Sequence, residues 1–470
     1  MPPLTLVIDQ GTHATRALAF DEHGRIQASA YRAIALHGAG SDHVEQDAAE
    51  IAASMWQVVH ELLAHPEVKK RGIARAGIAT QRSSVVAWDR ESGEPLAPML
   101  SWQDRRAADW LAQFSHHEPE IKSRTGLPLS PHYGASKLRW LLDNVPAVAQ
   151  AHREGRLAFG PLVSFLLFHL LDGRPLLTDH ANASRTLLWH VAARDWDEWL
   201  LDLFGVPKTP LPVCVPICHD YGRIRGTEIP LLAVNGDQNA AVFALGRPLP
   251  ETAVVNMGTG AFILLPTGKQ LHPHPALLSG LIHSDATKGT YTIEGTVNGA
   301  GAALSWAVAQ WHLPDPKAHL PQWLAQVSRP PLFLNSIGGL GSPLWRPGPE
   351  PALVGDGAGV GETAVAVIES ILFLLHLNLE TITKMGLSVR RLQISGGLSQ
   401  VEGLCQRLAN LTGREVYRPA EVEATARGAA YLAAGLPGHW PKPGRGRWFR
   451  PVVDEALRAR YGRFRELITA

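Results

Sequence analysis

The chain has 470 residues, 45% of them hydrophobic and 19% charged, with a formal net charge of +1. Such a length exceeds one hydrophobic core and points to two domains of ordinary globular composition. The near-neutral charge excludes broad electrostatic binding to nucleic acid or to an anionic membrane, and three cysteines (Cys214, Cys218, Cys405) make no disulfide framework, which fits a reducing, cytoplasmic setting.

Met1-Pro-Pro-Leu4 shows no signal-peptide pattern and runs straight into a β-branched, apolar stretch at residues 4–8, which reads as a buried strand ending at Asp9. Gln10-Gly-Thr12 is a turn, residues 16–20 a second strand, and Asp21-Glu-His-Gly24 a hairpin turn into a third at 25–30. Asp47 is placed to cap a helix whose one face carries Ile51, Met55, Val58 and Leu62. Residues 77–80 and 85–88 follow as strands, and strands interleaved with helices give the α/β class. The longest apolar run, 161–171, carries Ser164 and His169 and is too short to span a bilayer. Cys214-Val-Pro-Ile-Cys-His219 lacks the second cysteine pair expected of a zinc site, and His116, His117, His272 and His274 sit in surface loops.

Val234-Asn-Gly-Asp-Gln-Asn-Ala-Ala-Val242 is flanked by apolar residues and reads as a strand or helix edge that delivers one carboxylate, Asp237, into a cleft. Beyond it, 253–256 is a strand, Gly258-Thr-Gly260 a turn, 261–265 and 291–294 strands, and Gly299-Ala-Gly-Ala302 opens a helix with Leu304 and Val308. A strand, Gly/Thr turn, strand unit thus occurs once in each half. It suggests two similarly built domains facing a cleft, 1–227 and 228–440, with the boundary near 222–227. Residues 392–394 form a strand before the turn Ile394-Ser-Gly-Gly-Leu398, and a helix follows with Val401, Leu404, Leu408 and Leu411. Residues 441–470 read as a basic, Pro/Gly-rich linker (Pro441 to Arg447) and a last helix at about 454–467.

Phosphoryl transfer needs donors around the phosphates, a divalent metal and a base for the attacking hydroxyl. Glycine turns bring backbone N–H groups close to phosphate oxygens because no Cβ intervenes. Gly11-Thr12 and Gly258-Thr-Gly260 are such turns, though neither matches the P-loop or the dinucleotide fingerprint. Asp9 stands where a carboxylate can orient a metal or its waters, and Asp237 where one can accept a substrate proton. The plainer alternatives are a turn-capping Asp9 and a structural Asp237.

Asp9-Gln-Gly-Thr-His-Ala-Thr-Arg16, Thr80-Gln-Arg82, Trp88-Asp89 and Ser101-Trp-Gln-Asp-Arg-Arg106 occur in that order. Thr178-Asp-His-Ala-Asn-Ala-Ser-Arg-Thr186, Asp195-Trp-Asp197, Gly236-Asp-Gln238, Gly258-Thr-Gly260, Glu294-Gly295, Gly396-Gly397 and Thr425-Ala-Arg-Gly-Ala-Ala430 follow. The series resembles the FGGY family of carbohydrate kinases, most of all its glycerol kinase branch, nearly from end to end. The resemblance implies two actin-like (ribonuclease H-like) domains facing a central cleft that holds ATP and a small polyhydroxy substrate, in a homodimer or homotetramer. It implies Asp237 as the base, with Asp9 and Asp237 placing Mg²⁺. It assigns Thr12, His13, Arg16, Gly258, Thr259, Gly301, Gly396 and Gly397 to the nucleotide, and Arg82, Ser83, Trp102, His132, Asp237 and Gln238 to the substrate. Arg82 suits directed hydrogen bonds to hydroxyls and Trp102 an apolar wall; a surface salt bridge and a core aromatic are their ordinary alternatives.

Three departures fall on the substrate side. Ser83 stands where glycerol kinases are expected to carry a glutamate, which removes a charge-assisted bond about twice as strong as a neutral one. His132 takes a tyrosine position, with Tyr133 adjacent, and Gly134 takes that of a small hydroxyl residue. On the nucleotide side, His13 replaces a small polar residue. The expectation is intact phosphoryl-transfer machinery with an altered substrate grip: glycerol as the leading single candidate, a longer polyol or a ketopentulose as the alternative. A degenerate sensor without turnover is a rival class, opposed by Asp9, Asp237 and both phosphate turns. An actin-like or chaperone-like ATPase is another, opposed by Arg82, Trp102 and Gln238 together.

Overall fold

Two sheets with the same internal order carry the molecule, each begun by an apolar run that hydrogen-bonds on both edges. The computed structural model describes residues 1–38, 41–355, 359–420, 423–441 and 444–470. In the first sheet, β1 (Leu4–Gln10), β2 (Ala14–Phe20) and β3 (Ile26–Ala33) form an antiparallel meander. On the other side of β1, β4 (Ile73–Thr80) and β5 (Leu231–Gly236) add in parallel, giving β5-β4-β1-β2-β3. The central strand is buried at all but one of its positions, as expected of a strand covered on both faces.

The second sheet contains β6 (Thr252–Met257), β7 (Ala261–Gly268), β8 (Leu278–Ser284), β9 (Gly289–Val297), β10 (Arg391–Ser395), β11 (Glu415–Arg418) and β12 (Arg447–Phe449), in the order β8-β9-β7-β6-β10-β11-β12. Without the outermost β8 and β12, its strand order and directions repeat those of the first sheet. The two lobes are thus of the actin-like, ribonuclease H-like kind.

Helices cover the sheets. α1 (Ala48–Ala64) begins at Asp47, whose side chain accepts the N–H groups of Ala49 and Glu50, and it buries Ile51, Met55, Val58 and Leu62 against β2 and β3. α2 (Gly134–Asn144) and α3 (Asp237–Ala241) belong to the first lobe, and α4 (Gly301–Trp311) opens on the second sheet. The core of the second lobe is α5 (Val360–Lys384), buried over 78% of its most apolar window. This helix, not the run at 161–171, is the longest apolar segment. The earlier run forms the buried helix Leu162–Leu170. α5 carries one buried acid, Glu369, which pairs with Arg407 of α6 (Glu402–Thr412) and with Arg460 beyond it.

Sheet membership draws the lobe limits away from residue 227. β5 follows that point yet pairs with β4 in the first sheet, and α7 (Ala424–Ala433) returns from the second half to pack against β4, β1 and α3. The chain crosses between lobes near residues 245–251. The tail is no separate unit either. β12 pairs with β11, and α8 (Glu455–Thr469) buries Leu457, Tyr461, Phe464 and Ile468 against the second lobe. Lys442 and Pro443 of the expected linker lie outside the described residues.

The outer edge of β8 forms the seam between lobes. Ser279 N donates to Gly126 O (3.0 Å), Asn239 Nδ2 to Leu281 O (2.7 Å), Asn235 Nδ2 to Ile282 O (3.1 Å) and Cys218 N to Ser284 O (2.9 Å).

Candidate active site

Asp9 lies near the end of β1, and Asp237 follows β5 as the first residue of α3, so two strands of one sheet deliver both carboxylates to the same edge. α3 is held there by α7. A Cβ on Gly428 would lie 1.8 Å from the Ala240 carbonyl oxygen, so only glycine lets the two helices approach this closely. Thr425 Oγ1 donates to Asp237 O at 3.3 Å.

Asp9 and Asp237 face one cavity of about 390 Å³, with Gly11, His13, Ala14, Arg16, Tyr31 and Thr425 completing its lining. Burial pushes the Asp9 carboxyl up to about 6, against the opposing pull of Arg16, and the Asp237 charge adds to the rise. Arg16 also pairs with Glu423, tying β2 to the segment before α7. Asp237 is raised as well, chiefly by burial and against the attraction of Arg82, while a third of its side chain stays open.

Arg82 is no surface salt bridge: it is enclosed, with side-chain exposure of 9%. Its guanidinium donates to Asn239 Oδ1 (2.8 Å) and Gln238 Oε1, with Nε 3.6 Å from Asp237 and Nη2 3.5 Å from Glu294. Glu294, on β9 of the second lobe, also pairs with Arg185. Burial alone would raise the Glu294 carboxyl, but Arg185 and Arg82 outweigh it and hold the group below its ordinary value.

Trp102 donates from Nε1 to Thr12 Oγ1 (3.0 Å) and meets the His132 ring edge-on at 5.5 Å. Burial keeps the His132 imidazole neutral, well below its ordinary value. The turn that carries it is shaped from beneath by Lys137, whose buried ammonium donates to the carbonyls of Pro131 (2.8 Å) and His132 (2.6 Å). Ser83 is buried in a left-handed conformation, φ +67°, and its Oγ has no hydrogen-bond partner among the described residues.

The remaining expected residues form a second group on the other sheet. Gly258-Thr259-Gly260 is an open turn between β6 and β7. The first turn of α4 closes on it, with Gly301 N donating to Gly258 O and Ala302 N to Thr259 O, both at 2.9 Å. Gly396, at φ +91°, turns the chain after β10 with its missing Cβ 2.5 Å from the Met257 carbonyl oxygen, and Gly397 has open space beside it. None of these glycines lines the Asp9–Asp237 cavity. Arg185, Glu294, Asn239 and Glu423 take part although no role is assigned to them from the sequence; the first three lie within the stretches quoted above. For Glu294 a signal existed: it is the one charged residue of the strand Gly289–Val297.

Twin actin-like lobes, with paired carboxylates on one sheet and glycine turns on the other, define a phosphotransferase of the carbohydrate-kinase class. Residues 4–244 match the N-terminal domain of the FGGY family of carbohydrate kinases, and residues 253–435 match its C-terminal domain. The chain belongs to this family. The glycerol kinase of Alcanivorax borkumensis is 36% identical over 442 residues, 92% of this chain and 89% of that one. Glycerol kinase 1 of Pseudomonas aeruginosa is 35% identical over 440 residues, 91% and 89% of the two chains. Among solved structures, the glycerol kinase of Plasmodium falciparum with ADP shares the fold at a TM-score of 0.89, with 24% identity over 100% of this chain and 99% of that one. The xylulose kinase of Rhodospirillum rubrum does so at 0.85, with 20% identity over 99% and 97%.

Proposed function

We propose that this kinase transfers the γ-phosphoryl group of ATP to a primary hydroxyl of a small polyol or ketose, with glycerol the first candidate. The observation that carries the reading is Asp237, a one-third-open carboxylate of raised pKa at the start of α3, set against a buried arginine that already organises Gln238 and Asn239.

In the reaction, Asp237 accepts the proton of the substrate hydroxyl as its oxygen attacks the γ-phosphorus. A carboxylate made more basic by burial suits that task. Arg82 and Gln238 orient the hydroxyls and Trp102 packs against the carbon chain. Arg16, Thr12 and the Gly258-Thr259 turn approach the phosphates, with Gly301, Gly396 and Gly397 along the nucleotide. Asp9 and Asp237 are hard oxygen donors facing one cavity. They fit a divalent cation that takes its other ligands from water and phosphate, as magnesium does. When bound, magnesium supplies charge neutralisation on the phosphates. Closure of the lobes keeps water from the phosphoryl group.

Ser83 favours a second reading. Its unpartnered hydroxyl, in place of a carboxylate, leaves room and a free donor for a longer polyol or a ketopentulose. The test is ADP release with ATP and Mg²⁺ against glycerol, erythritol, ribitol, D-ribulose, D-xylulose, L-xylulose and no sugar. Turnover with glycerol supports the first reading, and turnover only with a longer substrate supports the second. Asp237→Asn is expected to lower kcat by about 10²–10⁴-fold while the protein stays folded. Sugar-independent ATP hydrolysis, or silence across the panel, overturns both.

A further inference from the structure

A second cavity, of about 560 Å³, lies where the chain crosses between lobes. Its lining includes Arg247 and Glu251 of the crossing segment, Lys269 beyond β7, His283 on β8, and Asp285 and Lys288 of the turn after β8. None of the residues assigned above to substrate, nucleotide or metal lines it. Its crossing segment falls between the two matched family domains, which end at 244 and begin at 253. Pockets between domains are common places for ligands.

The polar groups around this cavity are unevenly satisfied. Glu251 is paired with Arg390 at 2.7 Å, and Asp285 turns back onto the N–H groups of Thr287 and Lys288, both at 2.8 Å. Arg247, Lys269 and Lys288 have no ion-pair partner among the described residues. His283 is only 8% exposed, yet its Nε2 has no hydrogen-bond partner among those residues either. A buried polar atom left unpaired costs free energy. With Glu251 balanced by Arg390, three cations against the single Asp285 carboxylate leave the concave surface net positive, which concentrates anions.

Position gives such a site leverage. His283 belongs to the seam strand β8. Two residues earlier on that strand, the Leu281 carbonyl accepts from Asn239, the residue whose Oδ1 accepts from Arg82. An anion held jointly by Arg247 on the crossing segment and by Lys269 and Lys288 on the second lobe would restrain the hinge about which the lobes close.

We infer that this inter-lobe cavity is an effector site for a small multivalent anion, a phosphate ester or a polycarboxylate, whose occupancy changes turnover. The test uses the full chain in magnesium-free buffer with saturating ADP to fill the cleft, titrated by calorimetry with inorganic pyrophosphate and, separately, with citrate. One anion per chain is expected to bind. In the Lys269→Ala/Lys288→Ala double variant, its affinity falls about tenfold, the scale of lost charge-assisted contacts. Tighter binding of pyrophosphate assigns a phosphate ester, and tighter binding of citrate a polycarboxylate. Both lysines are exposed, so the double variant keeps its fold and its basal turnover. At fixed free magnesium, the tighter anion shifts KM or kcat of the unmodified kinase about fivefold or more, the lower end of allosteric couplings, and leaves the variant unchanged. Absence of binding beyond ADP, binding that the double variant retains, or binding with no change in turnover would each overturn the inference.

Discussion

Asp9 binds its proton more tightly in the folded chain than in the unfolded one, because burial lifts its pKa from 3.8 to about 6. The folded state is therefore favoured below pH 4, and this contribution is lost as pH rises from 4 to 6 and the buried group ionises. Comparing metal-free wild type with Asp9→Asn by urea unfolding, the stability difference should fall by about 3 kcal/mol across that window. A flat difference would contradict the burial of an ionised Asp9. Ser83 offers an independent test. Relieving φ +67° with Ser83→Gly should stabilise the protein by about 1 kcal/mol in thermal unfolding, while the loss of the free hydroxyl raises KM for the preferred substrate. The positions of Asp9 and Asp237 are readable in the sequence, since Asp9 closes an apolar run and Asp237 follows the Asn-Gly break after another. The partnership of Arg185 with Glu294 is not, because 109 residues separate them and nothing local marks an ion pair.

At the scale of elements, legibility follows amphipathicity. α1 shows a cap and a one-sided apolar face, and both are visible in its residues. α5 is apolar all round because protein covers it on every side, so it lacks the polar face by which a surface helix declares itself. Glu369 is the one buried charge on that helix, 1% exposed and shared by Arg407 and Arg460. Breaking a buried pair strands the remaining charges. Glu369→Ala should therefore cost about 3–5 kcal/mol, read as a lowered midpoint in denaturant unfolding, with α6 and α8 loosened from α5. Substrate affinity should change little, since Glu369 takes no part in the contacts around Asp237 and Arg82. The last helix is visible from its periodicity, whereas its docking onto the second lobe depends on apolar partners spread along the whole of that lobe.

The whole molecule is joined through Glu294, which receives Arg82 and Arg185 of the first lobe from its place in the second sheet. Glu294→Gln should lower stability by about 3–5 kcal/mol, because two buried guanidinium groups lose their counter-charge. It should also reduce kcat/KM, since Arg82 loses one of its anchors; calorimetry and steady-state kinetics on one preparation would separate the two effects. The repeat of a strand, glycine turn, strand unit makes the twofold plan visible in the sequence, but the lobe limits are not. A parallel strand such as β5 finds its sheet by tertiary pairing, and nothing within residues 231–236 says which sheet that is. The seam strand β8 has one consequence of its own. Its outer backbone groups are occupied by Gly126, Asn235, Asn239 and Cys218 rather than by another strand. Were the lobes to part there, a bare β-edge would face other copies of the chain, the usual template for intermolecular sheet growth. Self-association on mild heating should therefore begin at this strand, which caps how widely the kinase can gape without sticking to its neighbours.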